Sequence, residues 1–366
     1  MATIEERINQ VEEEISSTPY NKASQHHIGK LKAKLAQLKE EQEKRASAGG
    51  GGAGFGVKKS GHGTVVLIGF PSVGKSTLLN QLTDAKSEIG AYEFTTLNVV
   101  PGMMKHKDTK IQILDLPGII SGASSGKGRG REILSIARNA NLILILLDVF
   151  NAKHIDIIKK ELYNVGIRID KKPPKVVIRK TQRGGIILNS TVDLTKIDEL
   201  MVRNIMNIYG FHSAEVTAHE DITPDELIDV ILGNRIYTPS IVVVNKVDLA
   251  DEQDIENLRS KLITDFIPVS ASLGGNINYL KDKVLEKLDV IRIYMKPQGE
   301  KPDMEEPLII KRNSTVEDVC KVLHKEFLDK FRYARVWGKS AKYKGQIVGL
   351  GHKLKDKDIL GIIKAS

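Results

Sequence analysis

The stretch Gly69-Phe70-Pro71-Ser72-Val73-Gly74-Lys75-Ser76-Thr77 reads G-x-x-x-x-G-K-S and follows an apolar, strand-like run from Thr64 to Ile68. Residues of these types at this spacing cradle phosphates. The glycines let the backbone turn tightly and aim its N–H groups inward. Lys75 reaches the β- and γ-phosphates, and the Ser76 hydroxyl can ligate magnesium. A helix from Ser76 to Leu82 adds the positive end of its dipole. The bland alternative is a glycine-rich turn without a ligand. The strand before and the helix after decide against it.

A second apolar run, from Ser240, ends in Asn245-Lys246-Val247-Asp248, an N-K-x-D pattern. A carboxylate there accepts from N1–H and the exocyclic amine of guanine. Adenine has no donor at N1, so it would leave that carboxylate poorly paired. The segment Phe266 to Ser272 supplies a short strand and a small-residue loop, Ser270-Ala271-Ser272, to close over the base. A decoy of similar spelling, Thr195-Lys196-Ile197-Asp198, opens an amphipathic stretch and reads as a helix N-terminus with solvated charges.

Between these motifs lie candidate γ-phosphate sensors. Lys110 to Gly118 is a strand ending in D-x-P-G, in which Asp115 holds magnesium through water and the Gly118 N–H meets the γ-phosphate. Upstream, Tyr92-Glu93-Phe94-Thr95-Thr96 offers hydroxyls for the same metal. The order of the pieces specifies a guanine nucleotide site: Gly69 to Thr77, Phe94 to Thr96, Asp115, Gly118, Asn245, Lys246, Asp248 and Ser270 to Ser272. Lys75 and Gly118 carry catalytic roles together with a hydroxyl of the Thr95-Thr96 pair, and Ser76, Asp115 and that hydroxyl hold the metal.

The elements that position these residues alternate strand and helix. Apolar strands are expected at Thr64–Ile68, Ile111–Leu114, Leu142–Val149, Ile241–Val244 and Phe266–Val269, with helices between them. That alternation predicts an α/β fold, a mostly parallel sheet covered on both faces, with ligands at the carboxyl ends of the strands. The core spans 63–168 and 237–289. Residues 1–48 read as a helical hairpin, with stripes Ile4, Ile8, Val11, Ile15 and Ile28, Leu31, Leu35, Leu38 broken at Ser16-Ser17-Thr18-Pro19. The hairpin packs on itself or on a partner, or lays its Lys-rich second helix on RNA. His26 and His27 read as surface residues. Residues 49–62 form a glycine-rich linker.

Residues 169–236 are too many for a loop and have their own periodicity, so they read as an inserted α/β module. Strands are expected at Val176–Arg179 and Ile186–Leu188, with a helix over Ile197–Ile208 and another started by Thr223-Pro224-Asp225-Glu226. The module carries two basic clusters, Lys171-Lys172-Pro173-Pro174-Lys175 and Arg179-Lys180-Thr181-Gln182-Arg183, which either face RNA or form a solvated edge. Residues 290–366 give strand, strand, helix with a Ser314-x-x-Glu317 capping box, then three short strands. That order predicts a small ubiquitin-like grasp. Trp337 either stacks on a base or anchors the core.

At 366 residues, with 41% hydrophobic content, the chain has material for several cores. A single cysteine, Cys320, excludes intrachain disulfides and points to a reducing compartment; its apolar helical stripe makes it a core residue. The run Leu142–Leu147 is too short to span a bilayer, and the acidic N-terminus lacks a signal core, so the expectation is cytoplasmic with no membrane partner. A net charge of +9 is compatible with RNA.

Three segments together, GFPSVGKSTLLN, Y-x-F-T-T and DLPGIISGASSGKGRGRE, resemble the Obg class of GTPases, and the longer match is to its developmentally regulated GTP-binding (DRG) branch. The resemblance covers the whole chain. It implies an N-terminal helical segment, a P-loop GTPase core, an insert of ribosomal-protein type and a C-terminal TGS domain. In this reading Thr96 is the magnesium ligand released when GTP becomes GDP. TGS modules of such proteins associate with RNA or ribosomes. The chain also departs from its relatives. Where Ras-like enzymes carry a water-orienting glutamine, this one has Ile119, so intrinsic hydrolysis should be slow. The following loop carries Lys127, Arg129 and Arg131 as candidate handles for a charge-stabilising finger, for RNA or for a protein cofactor. Relatives with Asn at the fourth P-loop position use potassium; Ser72 stands there and argues against it. The leading expectation is a magnesium-dependent GTPase switch on ribosomes or RNA, with no DNA partner. The competing one is an RNA-binding scaffold with structural nucleotide and incidental turnover. An ATPase is disfavoured by the intact Asn245-Lys246-Val247-Asp248.

Overall fold

The computed structural model describes residues 3–19, 21, 24–48, 61–83, 100–116, 136–262 and 264–365. The chain divides into two compact units. One comprises Met1–Gly54 and Gly166–Tyr237, the other Phe55–Val165 and Thr238–Ser366.

The second unit is built on a six-stranded sheet in the order β11-β10-β4-β1-β3-β2. Its strands are β1 (Thr64–Ile68), β2 (Val100–His106), β3 (Thr109–Asp115), β4 (Leu142–Asp148), β10 (Ser240–Asn245) and β11 (Phe266–Pro268). All neighbours are parallel except β2, which runs antiparallel to β3 at one edge. Every residue of β1, β4 and β10 is buried, the pattern of strands covered on both faces. Helices α3 (Lys75–Leu82) and α8 (Ile277–Leu288) pack Leu78, Leu82, Leu280 and Val284 against Val65, Leu67, Leu144 and Val243. Helix α4 (His154–Asn164) buries Ile155, Ile158 and Leu162. Helix α7 (Glu252–Lys261) starts at Asp251, whose carboxylate accepts from the Asp254 N–H.

The same unit carries a second sheet, ordered β13-β12-β16-β14-β15, from β12 (Val290–Met295), β13 (Leu308–Lys311), β14 (Phe331–Trp337), β15 (Gln346–Val348) and β16 (Asp358–Lys364). Strands β12 and β16 run parallel at its centre, and helix α9 (Val316–Leu323) covers one face through Val316, Val319 and Cys320. This is the expected grasp. Its helix begins one residue later than the Ser314/Glu317 capping box predicts. Thr315 is the cap, Asp318 accepts from its N–H at 2.8 Å, and the reciprocal bond runs from the Asp318 N–H. An aspartate closes the box as well as a glutamate does once the register shifts by one. A short helix α10 (Lys325–Asp329) follows. Trp337 is half-buried, with Lys296 Nζ 5.9 Å above its ring. Arg292 ties this sheet to the β2–β3 turn. Its guanidinium holds Asp356 at 2.8 Å, donates to the Lys107 carbonyl at 3.3 Å and lies 3.6 Å from Asp108.

The first unit joins both N-terminal helices to the insert. Helices α1 (Ile4–Ser17) and α2 (Gln25–Ala48) pack through Ile8, Val11, Leu31 and Leu38. The insert is a three-stranded sheet, β6-β8-β7, from β6 (Val176–Lys180), β7 (Ile186–Ser190) and β8 (Ala214–Ala218), covered by α5 (Glu199–Ile208) and α6 (Pro224–Leu232). The expected Thr223 cap is present, with Pro224 in the first turn and Glu226 closing the box. Short strands β5 (Ile167–Ile169) and β9 (Ile236–Thr238) pair where the chain enters and leaves.

Helix α2 does not stand free for RNA along its apolar side. Its Ala33 is fully buried in the insert core, and the Tyr209 hydroxyl donates to the Ala33 carbonyl at 3.1 Å. A Cβ at Gly29 would lie 3.0 Å from Met201 Sδ, so glycine permits this close approach. Lys32 pairs with Asp225 at 2.6 Å. His26 is likewise not a plain surface residue: it is half-buried, with Nε2 3.1 Å from Asp198. At the base of the insert Asp229 receives Arg168 Nε at 2.6 Å, Arg168 Nη2 at 2.7 Å and Arg235 Nε at 3.0 Å. The basic residues of both clusters are exposed; the first cluster precedes β6 and the second begins with its last two residues, Arg179 and Lys180.

Candidate functional site

The phosphate loop bends as its glycines allow. Gly74, the cap of α3, has φ +91°, and a Cβ there would sit 2.3 Å from Asn245 Nδ2. A Cβ at Gly69 would sit 2.5 Å from the Leu146 carbonyl oxygen. Ser72 also adopts a left-handed conformation, φ +63°, a strained choice for a side chain and of the kind found at ligand clamps. Lys75 is only 8% exposed. Its ammonium donates to the carbonyls of Gly69 at 3.1 Å and Phe70 at 2.9 Å, and burial pushes its pKa down against the pull of Asp115. The loop thus holds a nearly buried cation with room in its donor set for a stronger acceptor.

Asp115 ends β3 beside it. The Ser76 hydroxyl donates to Asp115 Oδ2 at 2.9 Å, while Asp115 Oδ1 is buried and has no hydrogen-bond partner among the described residues. Burial pushes the carboxyl pKa up, opposed by the Ser76 bond and the Lys75 charge. A hydroxyl and a carboxylate side by side, one oxygen unsatisfied, are hard oxygen donors that suit magnesium. The other expected contributors, Phe94, Thr95, Thr96 and Gly118, lie outside the described residues, as do Ile119 and the loop 121–131.

The base half stands at the ends of β10 and β11. Asn245 Nδ2 donates to the Val73 carbonyl at 2.9 Å, and its Oδ1 accepts from the Ala271 N–H at 2.9 Å. Lys246 is left-handed, φ +65°, which turns the chain so that Asp248 follows in a single helical turn, Val247–Leu249. Asp248 is exposed; the Ser272 hydroxyl donates to its Oδ2 at 3.2 Å. Hydrogen bonding from Ser270 and Ser272 holds its carboxyl below the usual range, so it is an anionic acceptor at neutral pH. Ser270 Oγ also accepts from the Leu273 N–H and meets Ser272 Oγ at 3.1 Å, fixing the closing loop.

Gly69 to Thr77, Asp115, Asn245, Lys246, Asp248 and Ser270 to Ser272 therefore gather at one end of the parallel sheet. Asp198 of the decoy caps α5, its Oδ1 accepting from the Met201 N–H at 2.8 Å. Two neighbours of the site escaped the sequence reading, Asp148 and His154. The signal was present for the first: Asp148 closes the apolar run of β4 as Asp115 closes β3.

Residues 64–180 match the family model described as 50S ribosome-binding GTPase, 183–290 the C-terminal region of that domain, and 291–364 the TGS domain. Over 369 residues the chain is 48% identical to developmentally-regulated G-protein 3 of Arabidopsis thaliana, covering 100% of both. The chain belongs to the developmentally regulated GTP-binding protein family. It is also 58% identical over 363 residues to an uncharacterized GTP-binding protein of Methanocaldococcus jannaschii, covering 98% of this chain and 93% of that one. Among solved structures, the Schizosaccharomyces pombe YchF GTPase matches 84% of this chain and 99% of that one at 12% identity and a TM-score of 0.45. This DRG family member is a GTP-binding P-loop GTPase with a C-terminal TGS domain. Among the described residues no helix is long and apolar enough to cross a membrane.

Proposed function

We propose that this GTPase is a magnesium-dependent switch that acts on ribosomes or RNA. The observation that carries the nucleotide half is the pairing of Ser76 with Asp115, which leaves a buried carboxylate oxygen beside the P-loop lysine. Ser76, Asp115 and Thr96 are the residues that would hold magnesium, which when bound supplies positive charge to the β- and γ-phosphate oxygens. Lys75 adds a second positive charge at the same oxygens. The backbone N–H groups of Gly69 to Thr77, Pro71 excepted, would orient the phosphates, and the Gly118 N–H would meet the γ-phosphate. Asp248 reads guanine from its N1–H and exocyclic amine, with Asn245, Lys246 and Ser270 to Ser272 shaping the pocket. Ile119 cannot orient a water, so turnover of the isolated protein is slow and a partner completes the site.

What supports a ribosomal partner is the family model that matches residues 64–180, described as 50S ribosome-binding. Charge supports it as well. Residues 291–364 carry 17 Lys or Arg against 10 Asp or Glu, and the loop between β14 and β15 exposes Lys339, Lys342, Tyr343 and Lys344. Polyanion binding draws on such cationic surface. Co-sedimentation with ribosomes tests the reading. More chain should pellet with GTP than with GDP or without nucleotide; equal, background-level pelleting in all three conditions refutes it.

A further inference from the structure

The segment after β4 touches both halves of the nucleotide site, although no motif includes it. Asp148 lies in register with Asn245 across β4 and β10, and the Val149 N–H donates to the Asn245 carbonyl at 3.2 Å. Asp148 Oδ2 is 4.0 Å from Lys246 Nζ. The carboxylate is itself held: Oδ1 accepts from the Phe150 N–H at 3.0 Å and Asn151 Nδ2 at 3.1 Å. Asp148 is 8% exposed, so its charge acts with little screening. Six residues on, the His154 ring stacks on Phe70 of the phosphate loop, centroids 4.1 Å apart and planes at 30°. Phe70 is the residue whose carbonyl accepts from Lys75 at 2.9 Å. Between the two contacts the segment is tied to itself by Asn151 N–H to Asp148 O at 3.2 Å and His154 N–H to Asn151 O at 3.1 Å.

We propose that Asp148 and His154 are positioning residues, a brace from one short segment that sets Lys246 on the base side and Phe70, hence Lys75, on the phosphate side. Neither side chain acts on GTP directly. Asp148 draws the Lys246 ammonium to one side of the left-handed turn, which leaves the lysine stem in a fixed line beside Asp248. His154 backs the phosphate loop where it has no other ring to lean on among the described residues. The inference rests on the nucleotide site proposed above.

The test is binding of GDP to the full chain by calorimetry, with IDP, which lacks the exocyclic amine, as the control ligand. Asp148→Asn removes the charge and keeps the shape; Asp148→Ser, which retains an acceptor for the Phe150 N–H, is the second charge-free variant should the first not fold. The expected loss of GDP affinity is about tenfold, within the range for residues in one contact network. In a Lys246→Met background, where the apolar stem remains but the ammonium is gone, the same substitution should cost less than about twofold. Unchanged affinity, or an equal loss in both backgrounds, overturns the Asp148 arm. His154→Ala should weaken GDP about threefold, the scale of one ring pair, and His154→Phe should restore it. A loss that His154→Phe does not restore overturns the other arm. Equal wild-type affinity for GDP and IDP would instead overturn the site reading, whatever the brace variants do.

Discussion

Asn245 Nδ2 donates to the Val73 carbonyl at 2.9 Å, so one side chain of β10 is hydrogen-bonded to the centre of the phosphate loop. The bond joins two motifs 172 residues apart and leaves little freedom in the distance from P-loop to base pocket. Asp248 is carried by the turn that starts directly after Asn245. Asp248→Asn should therefore lower GTP affinity at least about tenfold, because a donor replaces the acceptor facing two guanine donors. Xanthine nucleotide, with a carbonyl in place of the exocyclic amine, should gain. Calorimetry with GTP and XTP checks both directions, and an unchanged GTP affinity sinks the assignment.

Much of this site was legible because each motif is a strand end. Apolar runs that stop at Gly69, Asp115 and Asn245 place those residues at one edge of a parallel sheet by topology alone. Strand β2 was not legible. Val100-Pro101-Gly102-Met103-Met104 lacks alternation, and its place at the edge, antiparallel to β3, is set by tertiary pairing. The docking of α2 on the insert was hidden for a similar reason. The stripe Ile28, Leu31, Leu35, Leu38 shows that a face is buried, but the partner is chosen by Gly29 and Ala33, small residues that no hydrophobic pattern marks. The capping box slipped because Ser314 and Thr315 are both good caps, and only the packing of Val316, Val319 and Cys320 selects between them.

Asp229 should be the most costly single carboxylate to remove from the insert. It accepts from Arg168 twice and from Arg235 once, and both Asp229 and Arg168 are almost fully buried. Asp229→Ala leaves those guanidiniums without their shared acceptor, a loss of about 3–5 kcal/mol for a broken buried pair. Protection of the Ile236 amide, which donates to Gly166 at 3.0 Å in the paired entry and exit strands, reports it. Unchanged hydrogen exchange there would show that Asp229 does not hold the two guanidiniums in place.

Asp221 should make the insert acid-sensitive. Its carboxylate accepts from the Thr195 hydroxyl at 2.7 Å and from the N–H groups of Thr195 and Lys196, which hold its pKa down at about 2 from 3.8. A carboxyl depressed in the folded state contributes stability above its unfolded pKa and loses it as the proton returns. The window is therefore about pH 4 down to about 2. Asp221→Asn should flatten the unfolding midpoint across that window relative to wild type. Parallel curves would show that another group dominates.

Rate control should depend on the basic loop between β14 and β15. Removing residues 290–366 outright is a poor test, because Arg292 contacts Lys107 and Asp108 on the β2–β3 turn and its loss would disturb the nucleotide-binding unit. Reversing Lys339, Lys342 and Lys344 to Glu changes only exposed side chains far along the sequence from every base and phosphate contact. With Ile119 unable to orient water, single-turnover hydrolysis by the isolated chain should be slow, and ribosomes should accelerate it. A supplied charge or water-orienting group is worth about 10³–10⁵ in rate. The triple variant should bind GDP as the wild type does and hydrolyse at the same basal rate. Ribosome stimulation should fall and become more sensitive to added salt, since phosphate contacts weaken steeply with ionic strength. Rapid unaided turnover, indifferent to ribosomes in both chains, would show that Ile119 does not limit the reaction. Full stimulation of the variant would place the contact elsewhere, with the exposed clusters at Lys171 to Lys175 and Arg179 to Arg183 next to be reversed.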